Sequence, residues 1–244
     1  MRRIVVGYSG GVTSAWCLDW ALRTYPRDEV VALFHDTQRE HPDTYRYLRE
    51  MAERLGVQIT ERSDGRSVEE VEDDEHALAN NRMAFCSRIL KVEQRDKYFT
   101  ELREAGITEI VLVLAFSAKE EERVQRATAR SWQGGYAVRF PLVETGVSKQ
   151  QTADWSNAIG VRLPLMYAWS DHANCVGCRR GGKAYWLAVK ANHPEVFEAA
   201  KARELEYGHT FLKDTTLATL EIVGLKRVVK RRESIDIGSC ECGS

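Results

Sequence analysis

The sequence predicts an α/β fold: a doubly wound, mostly parallel sheet followed by a small, cysteine-bearing helical subdomain. Three observations carry that expectation. Short apolar runs without internal polarity alternate with longer segments whose apolar residues recur every three to four positions, the pattern of βαβ crossovers. The first apolar run leads straight into a glycine turn. The last third of the chain loses the alternation and gains cysteines. The 244 residues, 43% hydrophobic and 29% charged, are enough for a substantial core without disulfide support.

Ile4, Val5 and Val6 form the first strand. A helix follows from Ser14, with Ala15, Leu18, Ala21 and Leu22 on its apolar face. Residues 30–34 (VVALF) read as a strand buried on both faces. Pro42 opens the next helix, which Gly56 stops, and residues 57–59 make a brief third strand. The acidic stretch 64–81 reads as a surface excursion. A helix is expected over 88–105, ended by Gly106, and the most convincing buried strand runs over 110–116. A helix over 120–130, a strand over 138–140 and a helix capped by Ser148 with Gln151 complete the layered part. The expected division is 1–165 for the layered domain and 166–244 for the cysteine-bearing subdomain.

Composition excludes several classes. No apolar run approaches the ~20 residues of a membrane span, and the basic N-terminus lacks the apolar region of a secretory signal. A cytoplasmic, membrane-free protein is expected. The formal net charge of −1 argues against affinity built mainly on coating DNA with lysines. Six cysteines without an export signal point to metal, cluster or thiol chemistry.

The segment Ser9-Gly10-Gly11-Val12-Thr13-Ser14 lies between strand and helix. Its backbone amides and hydroxyls can hold phosphate oxygens, and a side chain at Gly10 is expected to occupy the phosphate's path. An ordinary glycine turn is the alternative. Asp36 ends a central strand, where open sheets bind ligands; it is suited to ribose or Mg²⁺, or to capping a helix. Arg88 and Lys91, three apart on one helix, are placed to reach a single anion. Arg123 lies nearest the end of the fourth strand, while Arg126 and Arg130 read as surface. Cys175 and Cys178 form a CxxC turn preceded by His172, able to chelate a metal or cluster or to form a redox disulfide. Cys240 and Cys242 end the chain, and Cys17 reads as buried packing. The basic group 226–232 is a candidate nucleic-acid contact or a solvated face.

In ordered series these segments resemble the adenine nucleotide alpha-hydrolase-like (PP-loop) superfamily, in its phosphoadenosine phosphosulfate (PAPS) reductase-like branch. Ser9 to Ser14 resembles the SGGxDS loop, with Thr13 in place of the aspartate. Phe34-His35-Asp36-Thr37 resembles the DTG-like segment, and Cys86-Ser87-Arg88-Ile89-Leu90-Lys91 the C-T-x-x-L-K element. Ser117 with Glu120 and Arg123, and Phe140-Pro141-Leu142 with Glu144, resemble later segments of the series. The resemblance implies an HUP-like sheet and a nucleotide, ATP or PAPS, held by Ser9, Gly10, Gly11, Thr13, Ser14 and Asp36. It also implies chemistry assisted by Asp36, Arg88, Lys91 and Arg123.

Cys86, Cys175 and Cys178 would then ligate an iron–sulfur cluster of the [4Fe-4S] type; Zn²⁺ with His172 is the alternative. Two activities are implied. One splits ATP to activate a nucleic acid or small molecule for sulfur insertion, as in DNA phosphorothioation and tRNA thiolation relatives, with sulfur from a persulfide protein. The other is PAPS reduction, with Cys242 as nucleophile and a thioredoxin-like reductant. A third reading is a non-catalytic nucleotide- or nucleic-acid-binding module built around zinc.

Overall fold

A computed structural model describes residues 1–224 of the chain; Cys240, Cys242 and the basic group 226–232 lie outside the described residues. Five strands form one sheet in the order β3-β2-β1-β4-β5, and every pairing is parallel. They are β1 (Arg2–Gly7), β2 (Val30–Asp36), β3 (Ile59–Ser63), β4 (Glu109–Val113) and β5 (Ala137–Arg139). The period-two geometry of a strand explains how the apolar runs are used. Ile4, Val6, Ala32, Phe34, Val111 and Val113 enter one core with Ala15, Leu18, Tyr47, Leu48 and Met51. Val5, Leu33, Ile110 and Leu112 point the other way, onto Tyr98, Phe99 and Tyr136. Each such fully buried side chain contributes ~1.5–3 kcal/mol of transfer free energy.

The helices around the sheet are α1 (Val12–Thr24), α2 (Pro42–Leu55), α3 (Val68–Asp74), α4 (Phe85–Ser87), α5 (Gln94–Glu104), α6 (Glu121–Gly134), α7 (Pro141–Thr145) and α8 (Lys149–Ala158). Pro42 and Gly56 bound α2 as expected, with Gly56 at φ 64° closing the helix by donating to Ala52. The Ser148–Gln151 capping box forms at the start of α8, and Cys17 is fully buried.

Two expectations change. The stretch 64–81 is more than a surface excursion: Ser67 and Glu70 form a capping box that starts α3, Glu72 is fully buried, and Leu78 joins the core of the C-terminal helices. The single helix expected over 88–105 is interrupted by a π-helical turn over Arg88–Glu93. There the Gln94 side-chain amide donates to the Ile89 carbonyl at 3.2 Å, an insertion of the kind that breaks an i→i−4 ladder.

Beyond the sheet, α9 (Lys183–Asn192), α10 (Pro194–Tyr207) and α11 (Leu217–Val223) pack around Trp186, Phe197, Phe211, Leu217 and Leu220. The break between α9 and α10 falls at Pro194, which lacks the N–H that a continuous helix requires. Among the described residues no helix is long and apolar enough to cross a membrane.

Candidate functional site at the carboxyl end of the sheet

Strand order reverses direction between β1 and β4, so the loops leaving these two strands flank a crevice at the carboxyl end of the sheet. That is where doubly wound sheets accept ligands. The loop after β1 supplies residues 9–14. Ser14 Oγ donates to the Gly11 carbonyl at 2.8 Å and accepts from Ser9 N–H at 3.2 Å, which staples the turn. Gly11 precedes α1 without giving it a side-chain cap. The Val12 N–H is instead taken by the hydroxyl of Tyr167, at 3.0 Å.

The two glycines do different work. Gly10 sits at φ 75°, and a Cβ there would fall 2.5 Å from Thr44 Cγ2 and 3.1 Å from Leu48 Cγ. Its hydrogen therefore faces α2, which corrects the expectation that a side chain at Gly10 would fill the phosphate's path: it would strike the adjoining helix first. A Cβ on Gly11 would meet the Tyr167 hydroxyl at 3.3 Å.

On the β4 side, Ser117 and Glu120 form a capping box. Arg123 pairs with Glu120 and lies 4.1 Å over the Phe116 ring, which stacks on Phe140. Arg123 thus stays at the strand end, as expected, while Arg126 pairs with Glu122 at the surface. His172 lies in the field of Lys149, Asp171, Glu120 and Arg123: burial and Lys149 hold its imidazole below the ordinary range, against Asp171 and Glu120.

A second group gathers where β2 ends. Asp36 Oδ1 accepts from Tyr45 Oη at 2.6 Å and from Gln38 N–H at 2.8 Å. Thr37 Oγ1 lies 3.1 Å from Cys175 Sγ and 3.2 Å from Glu40 Oε1. Lys91 Nζ reaches the same Glu40 oxygen at 3.5 Å. The CxxC loop is fastened here by Val176 N–H, which donates to the Arg39 carbonyl at 2.7 Å. Tyr185 Oη accepts from Gly177 N–H and Cys178 N–H and donates to the Cys175 carbonyl at 2.7 Å. Gly177 turns at φ 77°.

Of the three expected cysteines, Cys86 and Cys175 each feel the charge of Cys178. Burial pushes Cys86 up to about 11, with Cys178 and Glu72 adding to the rise and Arg179 opposing it. Burial pushes Cys175 up to about 12, with Glu40 adding, Lys91 opposing and Cys178 adding. Desolvation works against the charge on Lys91, but Glu40, Cys175 and Cys178 together hold it above its ordinary value.

Arg88 and Lys91 do not share an anion. Arg88 is exposed and pairs with Glu75 and Glu93, whereas Lys91 turns inward to Glu40. The wider π-helical turn changes the angle between residues three apart, so the helical-face argument fails. Among the described residues no three His, Cys, Asp or Glu side chains are grouped so as to hold a metal ion. Neither the expected set of Cys86, Cys175 and Cys178 nor the Zn²⁺ alternative with His172 as fourth ligand forms a compact ligand group there.

Sequence reasoning missed Glu40, Tyr167 and the Glu72–Arg179 pair. Glu72 is fully buried and receives Arg179 Nε at 2.8 Å and Arg203 Nε at 3.1 Å. Arg179, itself 2% exposed, also donates to the Gly177 carbonyl. An arginine directly after CxxC was the available signal, but its partner lies more than a hundred residues away.

The family model of the phosphoadenosine phosphosulfate reductase domain matches residues 3–132, more than half of the chain. Among solved structures, the chain is similar to a phosphoadenylyl-sulfate (PAPS) reductase from Candida auris in a phosphate complex. That similarity has a TM-score of 0.45 and 17% identity, and covers 70% of this chain and 80% of that one. Membership of an enzyme family sets aside the non-catalytic module. With the family model matching residues 3–132, the chain belongs to the PAPS reductase domain family of the PP-loop superfamily and is an enzyme of that type.

Proposed function

We propose that the protein is an adenine-nucleotide-dependent sulfur-transfer enzyme. It splits ATP to AMP and pyrophosphate, activating a nucleic acid or small molecule to which sulfur is then delivered. The observation that carries this reading is the CxxC loop held against the end of β2, where Cys175 meets Thr37 and Glu40 and Cys178 acts on both Cys86 and Cys175, at the same end of the sheet as the loop 9–14. Thiols brought from distant segments to a ligand-binding edge support sulfur chemistry there more than packing.

The loop would hold phosphate oxygens through the first-turn amides of Thr13 and Ser14, which no Gly11 side chain caps, at the positive end of the α1 dipole. Arg123 would neutralise phosphate charge from the β4 side. Asp36 has one carboxylate oxygen engaged by Tyr45 and Gln38; the other would take ribose or Mg²⁺. Lys91 would offset negative charge at the thiols.

Three soft thiol donors suit an iron–sulfur cluster, which spreads its ligands over several irons, better than a single tetrahedral ion. When bound, the cluster would supply an iron without a protein ligand, at which sulfide or a thiol can bind.

PAPS reduction is the second reading, favoured by the family match and by the Cys-Glu-Cys-Gly sequence at 240–243. Anaerobic purification with iron, sulfide and zinc analysis tests the cysteine assignment. Iron and sulfide in the wild type, mostly lost in Cys86→Ser, Cys175→Ser and Cys178→Ser alike, is the expected result. Zinc without sulfide, or full iron in Cys86→Ser, would refute it.

A further inference from the structure

We propose that Tyr167 is a binding residue of the nucleotide site, donating its phenolic hydrogen to an anionic oxygen of the substrate's phosphate chain in place of the Val12 amide. The proposal rests on the nucleotide occupying the loop 9–14. Tyr167 comes from the turn Leu165–Ala168, remote in sequence from that loop, and its side chain is buried. Its oxygen accepts the Val12 N–H at 3.0 Å. With that contact made by an N–H group, the O–H is left to donate. Among the described residues that hydrogen meets no acceptor.

A hydroxyl whose oxygen accepts an N–H group is polarised toward donation. It stands 3.3 Å from the position a Gly11 Cβ would take, at the mouth of the loop. The ring carries the Lys149 ammonium 5.2 Å from its centroid, and Arg123 and Lys149 both act on the neighbouring His172. Lys149 is thus a cation beside the ring, although Asp171 and Glu120 also act on His172 and Glu120 pairs with Arg123, and an unpaired buried donor is costly unless a ligand completes it. Bulk explains the residue type. A shorter donor on the 165–168 turn would not span to the start of α1, and the aromatic body fills the layer with Val12, Ala153 and Leu163.

The test compares wild type with Tyr167→Phe, which keeps the ring and removes the hydroxyl. ATP and PAPS are each titrated calorimetrically, and adenosine, which has no phosphate, is measured by competition. A hydrogen bond to a charged oxygen predicts a loss of at least about tenfold in affinity for the wild type's preferred nucleotide, with adenosine affinity unchanged. Equal or tighter nucleotide binding in a folded variant would overturn the proposal, and so would an equal loss for adenosine. If the wild type binds neither nucleotide, the functional reading fails instead, so the two failures are distinguishable. Should the variant not fold, pyrophosphate added to the wild type gives the second reading: the tyrosine absorption should shift to the red as a phenol begins to donate. A blue shift, or none, would overturn the assignment.

Discussion

Replacing Gly10 by alanine tests whether the nucleotide loop is shaped by its packing on α2 or only by its need to approach a ligand. At φ 75° an L-residue carries a left-handed strain of about 1–2 kcal/mol. The new Cβ would lie 2.5 Å from Thr44 Cγ2 and 3.1 Å from Leu48 Cγ, and both residues are buried with little room to shift. Overpacking of this kind costs about 1–3 kcal/mol. Together the two effects predict about 3 kcal/mol of destabilisation, read by urea unfolding at constant m-value. Thr44→Ser removes the nearest methyl group, so the double variant Gly10→Ala/Thr44→Ser should recover about 1 kcal/mol relative to additivity. The backbone strain would remain. A Gly10→Ala protein within about 0.5 kcal/mol of wild type, or no coupling to Thr44, would refute the reasoning and return Gly10 to the phosphate path.

Glu72→Ala leaves the buried Arg179 guanidinium with Glu69, 2.8 Å away, as its remaining carboxylate, and removes a partner of Arg203. Breaking a buried pair on one side predicts a loss of about 3–5 kcal/mol, seen as a fall of roughly 10 °C in Tm; a loss below about 1 kcal/mol would contradict it. His35 is held neutral, at about 3, by burial first and then by Lys91, Arg95 and Arg62, and its Nε2 is buried without a partner. Because its folded value lies below the unfolded 6.5, the unfolded chain binds the extra proton. The His35 contribution is therefore complete above pH 6.5 and is lost as pH falls toward 3. The slope is at most about 1.4 kcal/mol per pH unit. His35→Gln should flatten that slope between pH 6 and 4, and an unchanged slope would remove His35 as its source.

Much of the fold was legible because parallel strands buried on both faces are written as unbroken apolar runs: residues 4–6 and 30–34 fall in strands, the strand expected over 110–116 ends at Val113, and the third, expected over 57–59, instead runs over Ile59–Ser63. Punctuation was equally direct at Pro42, Gly56, Ser148 and Pro194. What failed was reading side-chain direction from regular helical spacing. Arg88 and Lys91 diverge because a π-helical turn separates them, and no periodicity rule reports such a turn. The stretch 64–81 misled for a different reason. Its acidic composition reads as solvent-facing, yet Glu72 is buried because two arginines from the far end of the chain neutralise it. Charge in a sequence carries no record of its partner. The meeting of Cys175 with Thr37 and Glu40 is likewise tertiary. Neither the CxxC spacing nor the ordered resemblance named Glu40.

The functional proposal is tested most directly by product analysis of the wild type and Cys242→Ser, each given ATP and sulfide with bulk tRNA or plasmid DNA as acceptor and, separately, PAPS with thioredoxin. Cys242 lies outside the described residues, and sulfur transfer through Cys86, Cys175 and Cys178 does not require it. The account predicts AMP and pyrophosphate from ATP, sulfur in the acceptor, no sulfite from PAPS, and the same pattern in both proteins. Sulfite released from PAPS by the wild type and abolished in Cys242→Ser would contradict it and identify the enzyme as a reductase.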